Sequence, residues 1–287
     1  MKILTNLLKF IFILILTICI ISVGIIAITF STIFNKNYVE EKLEETNFYE
    51  ETYKLVESNF ENYIYQSGLD EEVLENICTK EKVKQDINIM LSNIYNGTKQ
   101  NIDTTEIANN LDSNIDKLGI KNKQNESAIQ QFVEHICNEY TDTIIHTKYE
   151  NKINDMYTKI TEKLNKIYEI VSIILVIDFI IIVVINNKKI SKDFQYIGLA
   201  LLATSFFELI SMQIISFKVD INGIKILNDV FSKTIVTIIQ DVIYQVNSFA
   251  LGSALVGTMA ISIYSARLIS KKNGEVDGDK KKNNEKV

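Results

Sequence analysis

Four nearly unbroken runs of apolar residues constrain this chain more than any other feature. They occupy 7–34, 167–185, 196–217 and 249–269. A helix that crosses the hydrocarbon of a bilayer needs about 20 such residues, and each run meets or approaches that length. The chain has 287 residues, with no Pro and only 10 Gly, so the residues that break helices are scarce. No segment between turn signals alternates apolar and polar residues as a strand would. The expected fold class is an all-α membrane protein, with four transmembrane helices and a large extracytoplasmic helical bundle.

The first run has the character of an uncleaved signal anchor. Its apolar core is interrupted only by Lys9 and is too long for a cleaved signal peptide, and no A-x-A site follows it. The stretch "LTIC" ending at Cys19 has the look of a lipoprotein site, but Ile18 stands where a small residue would be required. The basic residues flanking the runs set the orientation. Lys2 and Lys9 precede the first, Lys188, Lys189 and Lys192 fill the link between the second and third, and Arg267, Lys271, Lys272 and "DKKKNNEKV" follow the fourth. With four spans all of these fall on one side, the cytoplasm. The chain is thus expected to be a multi-pass protein of the plasma membrane with both termini inside.

The division that follows is an N-terminal signal anchor at 1–34, an extracytoplasmic helical domain at 35–166 and a second span at 167–186. A cytoplasmic link at 187–195 leads to the third span at 196–217. An extracytoplasmic amphipathic helix at 218–248 precedes the fourth span at 249–270, and 271–287 forms a disordered cytoplasmic tail.

The outer segment 35–166 carries 25 acidic and 15 basic residues, and acidic residues weigh little on topology. About 130 residues are enough to bury a core. Apolar residues recur at helical spacing in three stripes: Leu55, Val56, Phe60 and Ile64; Val83, Ile87, Met90, Leu91 and Ile94; and Ile107, Leu111, Ile115 and Leu118. The stretches "QSGLDEE", "YNGTKQNIDTTE" and "KLGIKNKQNES" separate them and read as helix stops and starts, with Asp103 or Thr104 as a cap and Glu106 in the first turn. From Glu126 to the second span nothing interrupts a helix, so one long helix is expected, within a bundle of four or five. In 218–248, Leu227, Phe231, Ile235, Ile238, Val242 and Val246 share a face. That face suits docking on the outer bundle, or the outer leaflet.

The stretch "NYVEEKLEETNFYEETYKLVESNFENYIYQSGLDEEVLENICTKEKVKQDINIMLSNIYNG" contains Gly68-Leu69 followed by Val73-Leu74, then Asp86-Ile87 and Ile94-Tyr95-Asn96-Gly97. In these features it resembles a group of uncharacterised Gram-positive bacterial membrane proteins. The resemblance implies a signal anchor, an outer helical domain and three further spans, and implies no activity or binding residue. A composition rich in Ile, Asn and Lys, with Arg267 the single Arg, fits a bacterial chain from an AT-rich genome.

Motifs that carry chemistry are few. Neither a Walker loop nor G-x-S-x-G, H-E-x-x-H or a dinucleotide glycine pattern occurs. "GSALVGT" has phosphate-loop spacing without the Lys and lies inside an apolar run. Its Ala250, Ser253, Ala254 and Gly257 suit close helix packing. In "HICNEYTDTIIH" the residues His135, Glu139, Asp142 and His146 lie on one helical stripe. His135 with Glu139, or Asp142 with His146, is spaced for a metal. The two His are about 16 Å apart along a helix, so no single ion takes both, and a solvated polar face is the expected role. No metal or other cofactor is expected. Cys78 and Cys137 are open to two readings, a disulfide or two apolar thiols.

Two acids stand inside the apolar runs: Asp178 in "SIILVIDFIIIVVIN" and Glu208 in "LLATSFFELISM". Counted from the outer edge their depths are roughly 16 and 14 Å, with Ser22 and Thr258 at similar depth on the other spans. An acid at mid-bilayer costs about 2.5 to 3.5 kcal/mol on insertion scales, and no Lys or Arg lies at that depth. The acids are expected to face each other near Ser22 or Thr258, either as a neutral hydrogen-bonded pair that fixes packing or as a proton or cation site. The expected function is a non-enzymatic extracytoplasmic binding or scaffold module at the cell envelope. Its partners would be the lipid bilayer and, through the outer domain, a protein or the cell wall. The alternative is a small proton- or cation-coupled transporter using Asp178 and Glu208. The formal net charge of −6 argues against a nucleic-acid partner. A short polar tail does not fit a sensor kinase or chemoreceptor.

Overall fold

In the computed structural model, residues 2–122, 124–145, 147–186, 189–226 and 229–284 are described. His146, Lys188, Leu227 and the last three residues of the basic tail, each used in the sequence reading, lie outside the described residues. Nine α-helices occur among those described. They are α1 (Lys2–Ser31), α2 (Lys36–Glu45), α3 (Phe48–Ser67), α4 (Lys80–Asn96), α5 (Thr105–Lys117), α6 (Glu126–Ile145), α7 (Thr147–Ile185), α8 (Ile190–Lys218) and α9 (Asp229–Asn284). A 3-10 turn, Glu71–Leu74, is the only other regular element among these residues. The all-helical expectation holds there, and four helices are long and apolar enough to cross a membrane: α1, α7, α8 and α9.

The chain divides into two compact units. The first comprises Ser31–Glu162 with Ile224–Ile238. Its helix ends follow from local chemistry. Asn35 accepts from the Asn37 and Tyr38 amides to start α2, and Thr79 accepts from the Lys82 amide to start α4. At the start of α5 the capping contact comes from Asp103, which accepts from the Thr105 amide at 2.9 Å, while the Thr104 side chain makes no cap bond. Gly68 and Gly97 end α3 and α4 with φ of 72° and 66°, a left-handed conformation in which a Cβ is costly.

Helix α3 lies at the centre of this unit, against α2, α4, α6 and the 3-10 turn, while α5 rests on α6 and the same turn. Val56, Phe60 and Ile64 of α3 meet Val83, Ile87 and Leu91 of α4, Ile107, Leu111 and Ile115 of α5, and Ile136 and Tyr140 of α6 in one core. Each fully buried aliphatic side chain contributes about 1.5–3 kcal/mol. Leu118 departs from its expected stripe: it is the C-cap of α5 and 37% exposed, because the helix has ended before its side chain reaches the core. The start of α9 packs on this unit. Phe231 meets the Phe48 ring edge-on at 4.9 Å, the Thr234 and Thr46 hydroxyls are 2.9 Å apart, and Lys233 Nζ donates to the Thr46 carbonyl.

The second unit comprises Met1–Phe30, Lys163–Gly223 and Ile239–Val287. Leu16, Ile182 and Ala200 form its buried centre, with Phe12, Leu175 and Tyr196 packed around them. Helices α8 and α9 touch backbone to backbone. A Cβ built on Gly198 would stand 2.9 Å from the Gly257 carbonyl oxygen, and one on Gly257 would stand 3.0 Å from that of Gly198. Ala250, Ser253 and Ala260 continue the buried stripe on α9, the small-residue packing of apolar helices. Gly24 on α1 likewise leaves room for the Phe249 ring. The outward faces are apolar: Ile173, Val176, Ile180 and Val184 on α7, Phe206 and Phe207 on α8, and Leu255 and Met259 on α9 are each more than half exposed. Hydrocarbon matches such a surface and water does not.

The expectation of one long helix from Glu126 falls on His146, outside the described residues, with α6 ending at Ile145 and α7 beginning at Thr147 on either side of it. Helix α7 ends at Ile185 and α8 begins at Ile190, where the Lys189 amide donates to the Asn186 carbonyl and Asn186 Nδ2 donates to Asp193 at 2.8 Å. Residues 229–248 of the amphipathic segment, the fourth apolar run and most of the tail form one helix, α9. No Pro and no Gly before Gly252 interrupts it, and the Lys, Glu and Asn of its polar end tolerate helical backbone in water.

Candidate functional site

The apolar unit buries two carboxylic acids. Asp178 on α7 and Glu208 on α8 are each 3% exposed. Asp178 lies one turn before Ile182 of the buried centre on α7, and Glu208 two turns after Ala200 on α8. Thr204 is fully buried, and its hydroxyl, like all four carboxyl oxygens of Asp178 and Glu208, has no hydrogen-bond partner among the described residues.

The hydrogen bond expected between the two acids is absent among the described residues. The expected neighbours do not join them either. Ser22 Oγ donates to the Ile18 carbonyl and Thr258 Oγ1 to the Ala254 carbonyl, both at 2.8 Å and both in exposed positions. A Ser or Thr hydroxyl within a helix reaches its own i−4 carbonyl more readily than a neighbouring helix, so equal depth does not bring such groups together.

The helical unit holds a buried polar network that was not singled out from the sequence. Asp86, 1% exposed, accepts from Lys82 Nζ at 2.6 and 2.9 Å and from the Tyr140 hydroxyl at 2.5 Å. Every partner is satisfied, so the network is structural, and burial with the adjacent Asp86 holds the Tyr140 phenol protonated well above its ordinary range. The i,i+4 spacing of Lys82 and Asp86 is visible in the sequence. Tyr140, 54 residues further on, is not.

All three cysteines are free thiols, so the disulfide reading for Cys78 and Cys137 is not realised. Their sulfurs contact different backbones, Cys78 that of Thr79 and Cys137 that of Thr104. Burial pushes the Cys78 thiol up to about 12, which removes the thiolate a nucleophile needs. His135 stacks near Tyr63, with ring centroids 5.4 Å apart. Among the described residues no three His, Cys, Asp or Glu side chains converge as a metal site.

One further feature has the dimensions of a binding site. A groove of about 420 Å³ opens on the helical unit, lined by Phe34, Met90, Tyr95, Met156, Tyr157 and Ile235 with their neighbours. Roughly 300–1,000 Å³ is the usual range for a ligand pocket. No charged residue lines it. Two of its three polar side chains are engaged: the Tyr95 hydroxyl donates to the Ile33 carbonyl at 2.7 Å, and Thr234 pairs with Thr46. Phe34, Tyr157 and Tyr95 form an aromatic series along it, with successive ring centroids 5.1 Å apart. The groove was not legible beforehand because four separated stretches of chain build it, 33–48, 90–95, 153–160 and 231–238.

Comparison of the chain with protein-family models, with curated proteins and with solved structures gives no match.

Proposed function

We propose that this chain is a non-enzymatic integral protein of the cell membrane whose helical unit, held outside, binds a ligand or partner at the cell envelope. The observation that carries the reading is the apolar groove on that unit. A bundle with its own satisfied core has no folding need to leave Ile153, Met156 and Ile160 of one helix substantially exposed beside such a groove, and an exposed apolar patch of this kind marks a binding surface. The excess of Lys at the ends of the apolar helices supports the orientation. The test uses the full chain in its own membrane, compared with an Ile160→Asp variant that charges the groove wall without touching the core. Enrichment of a ligand or partner by the first and its loss from the second supports the reading. Equal enrichment by both contradicts it.

A second reading, a small proton- or cation-coupled transporter, is favoured by the four unpartnered oxygens of Asp178 and Glu208. Buried acids without partners inside apolar helices are characteristic of proton and ion paths. It predicts that an Asp178→Asn, Glu208→Gln chain folds in vesicles but loses proton or cation flux that the unaltered chain supports. Equal flux from both chains contradicts this reading.

A further inference from the structure

We infer that Asp178 and Glu208 are two separate proton-binding sites, each a carboxylic acid that holds its own proton, and that the proton is the cation they take up. This specifies the ion of the second reading above and rests on that reading for its transport role. Both side chains are more than nine-tenths buried, and none of their carboxyl oxygens has a hydrogen-bond partner among the described residues. A carboxylate removed from water keeps its charge only beside a paired opposite charge. The sequence supplies none. The stretches 10–31, 170–185, 197–217 and 249–263 of the four apolar helices hold no Lys, Arg or His, and Cys19 is their only ionisable side chain besides the two acids. Toward the link between α7 and α8, Lys9 stands over the Tyr196 ring and Asp193 accepts from Asn186. Ala200 of the buried centre lies between Tyr196 and Glu208 along α8, and Ile182 lies between Asn186 and Asp178 along α7. At the other end Lys166, Glu169 and Lys218 are exposed.

No hydrogen bond joins the two acids, and no three His, Cys, Asp or Glu side chains converge among the described residues, so each acid stands as its own site. The choice of ion follows from the oxygens on offer. A hard metal cation takes about six or more oxygen ligands, and transporters that carry Na+ supply several of them from backbone carbonyls where a helix is unwound. Here α7 runs unbroken from Thr147 to Ile185 and α8 from Ile190 to Lys218. The carbonyls flanking both acids are therefore taken by the helical ladder. Each acid offers two oxygens, and the buried Thr204 hydroxyl, also without a partner, adds at most one. A proton needs one oxygen alone.

The test is infrared spectroscopy of the full chain in lipid vesicles, because the C=O stretch of a protonated carboxyl is separate from the bands of a carboxylate. At neutral pH the unaltered chain should show one such component from each acid. Asp178→Asn should remove one and leave the other, and Glu208→Gln should do the reverse. Isotope-labelled Asp or Glu assigns the components in the unaltered chain should either variant fail to fold. Raising Na+, K+ or Mg2+ at constant pH should change neither. Absence of either component at neutral pH overturns the inference. A component lost on adding a metal cation overturns the proton as the ion. A titration midpoint that moves by more than about 1 unit when the other acid is replaced overturns the separateness of the sites. Proton flux into the same vesicles is read in parallel. Equal flux from the unaltered chain and the Asp178→Asn, Glu208→Gln chain, with both components present in the former, removes the transport reading and leaves the proton sites standing.

Discussion

Replacing a buried carboxylic acid by an apolar residue ordinarily destabilises a protein, and here the structure predicts the reverse. Glu208 is 3% exposed and neither of its carboxyl oxygens has a partner. A buried polar group without a hydrogen bond costs about 1–3 kcal/mol. Methionine has nearly the same length and volume and no polar group, and volume-conserving swaps cost little in packing, usually under about 1.5 kcal/mol. Glu208→Met should therefore stabilise the apolar unit by about 1–2 kcal/mol, and Asp178→Leu by a similar amount. The two acids share no hydrogen bond, so the effects should add to within about 0.5 kcal/mol in a double-mutant cycle. The assay is reversible unfolding of the full chain in bicelles by SDS titration, with hydrogen exchange in α7 and α8 reporting on that unit alone. A loss of stability above 1 kcal/mol from either substitution, or coupling of that size between them, would refute the reasoning by showing that the acids are partners. Stabilised variants that abolish a cellular phenotype would favour the proton or cation reading.

Other perturbations test the remaining parts. Asp86→Ala strands the Lys82 ammonium and the Tyr140 hydroxyl and should cost about 3–5 kcal/mol, read as faster amide exchange in α4 and α6, whereas Lys82→Met with Asp86→Leu should recover much of the loss. Gly257→Val pushes a branched side chain at the Gly198 carbonyl and should cost about 1–3 kcal/mol, seen as a lower midpoint in the same SDS titration. Cys78 gives a pH signature. Its thiol sits near 9 when exposed and near 12 when folded, so the folded state holds a proton that the unfolded state releases between these values. The contribution of Cys78 to stability is complete below pH 9 and is lost as pH rises toward 12. Exchange protection of α3 and α4 should fall from about pH 9 upward, and Cys78→Ala should move that onset upward to where the buried tyrosines begin to ionise. An unchanged onset would remove Cys78 from the explanation.

What could be read from the sequence was whatever is decided within a few residues. The apolar runs, the Gly68 and Gly97 stops, and the Ile107–Leu111–Ile115 stripe depend on local spacing, and the structure has them where spacing put them. Register between helices is a different kind of information. Asp178 and Glu208 come out level when counted from assumed edges, yet no hydrogen bond joins them, and an apolar substitution then relieves an unpartnered group instead of stranding a partner. Ser22 and Thr258 were misplaced because depth says nothing about which way a side chain faces. Cys78 and Cys137 share a core but not a geometry, and bonding between two cysteines depends on Cα and Cβ placement that spacing does not contain. The Asp86–Lys82–Tyr140 network and the groove both join segments more than 50 residues apart.

The most direct test of the central claim is topology, because a binding role at the envelope requires the helical unit to be outside. In a background with Cys19, Cys78 and Cys137 replaced, single cysteines at Lys99, Asp229 and Gly278 are exposed in intact cells to a membrane-impermeant maleimide. Lys99→Cys and Asp229→Cys should be labelled at once, and Gly278→Cys only after the membrane is permeabilised. Labelling of Gly278→Cys in intact cells, with Lys99→Cys protected, would contradict the account.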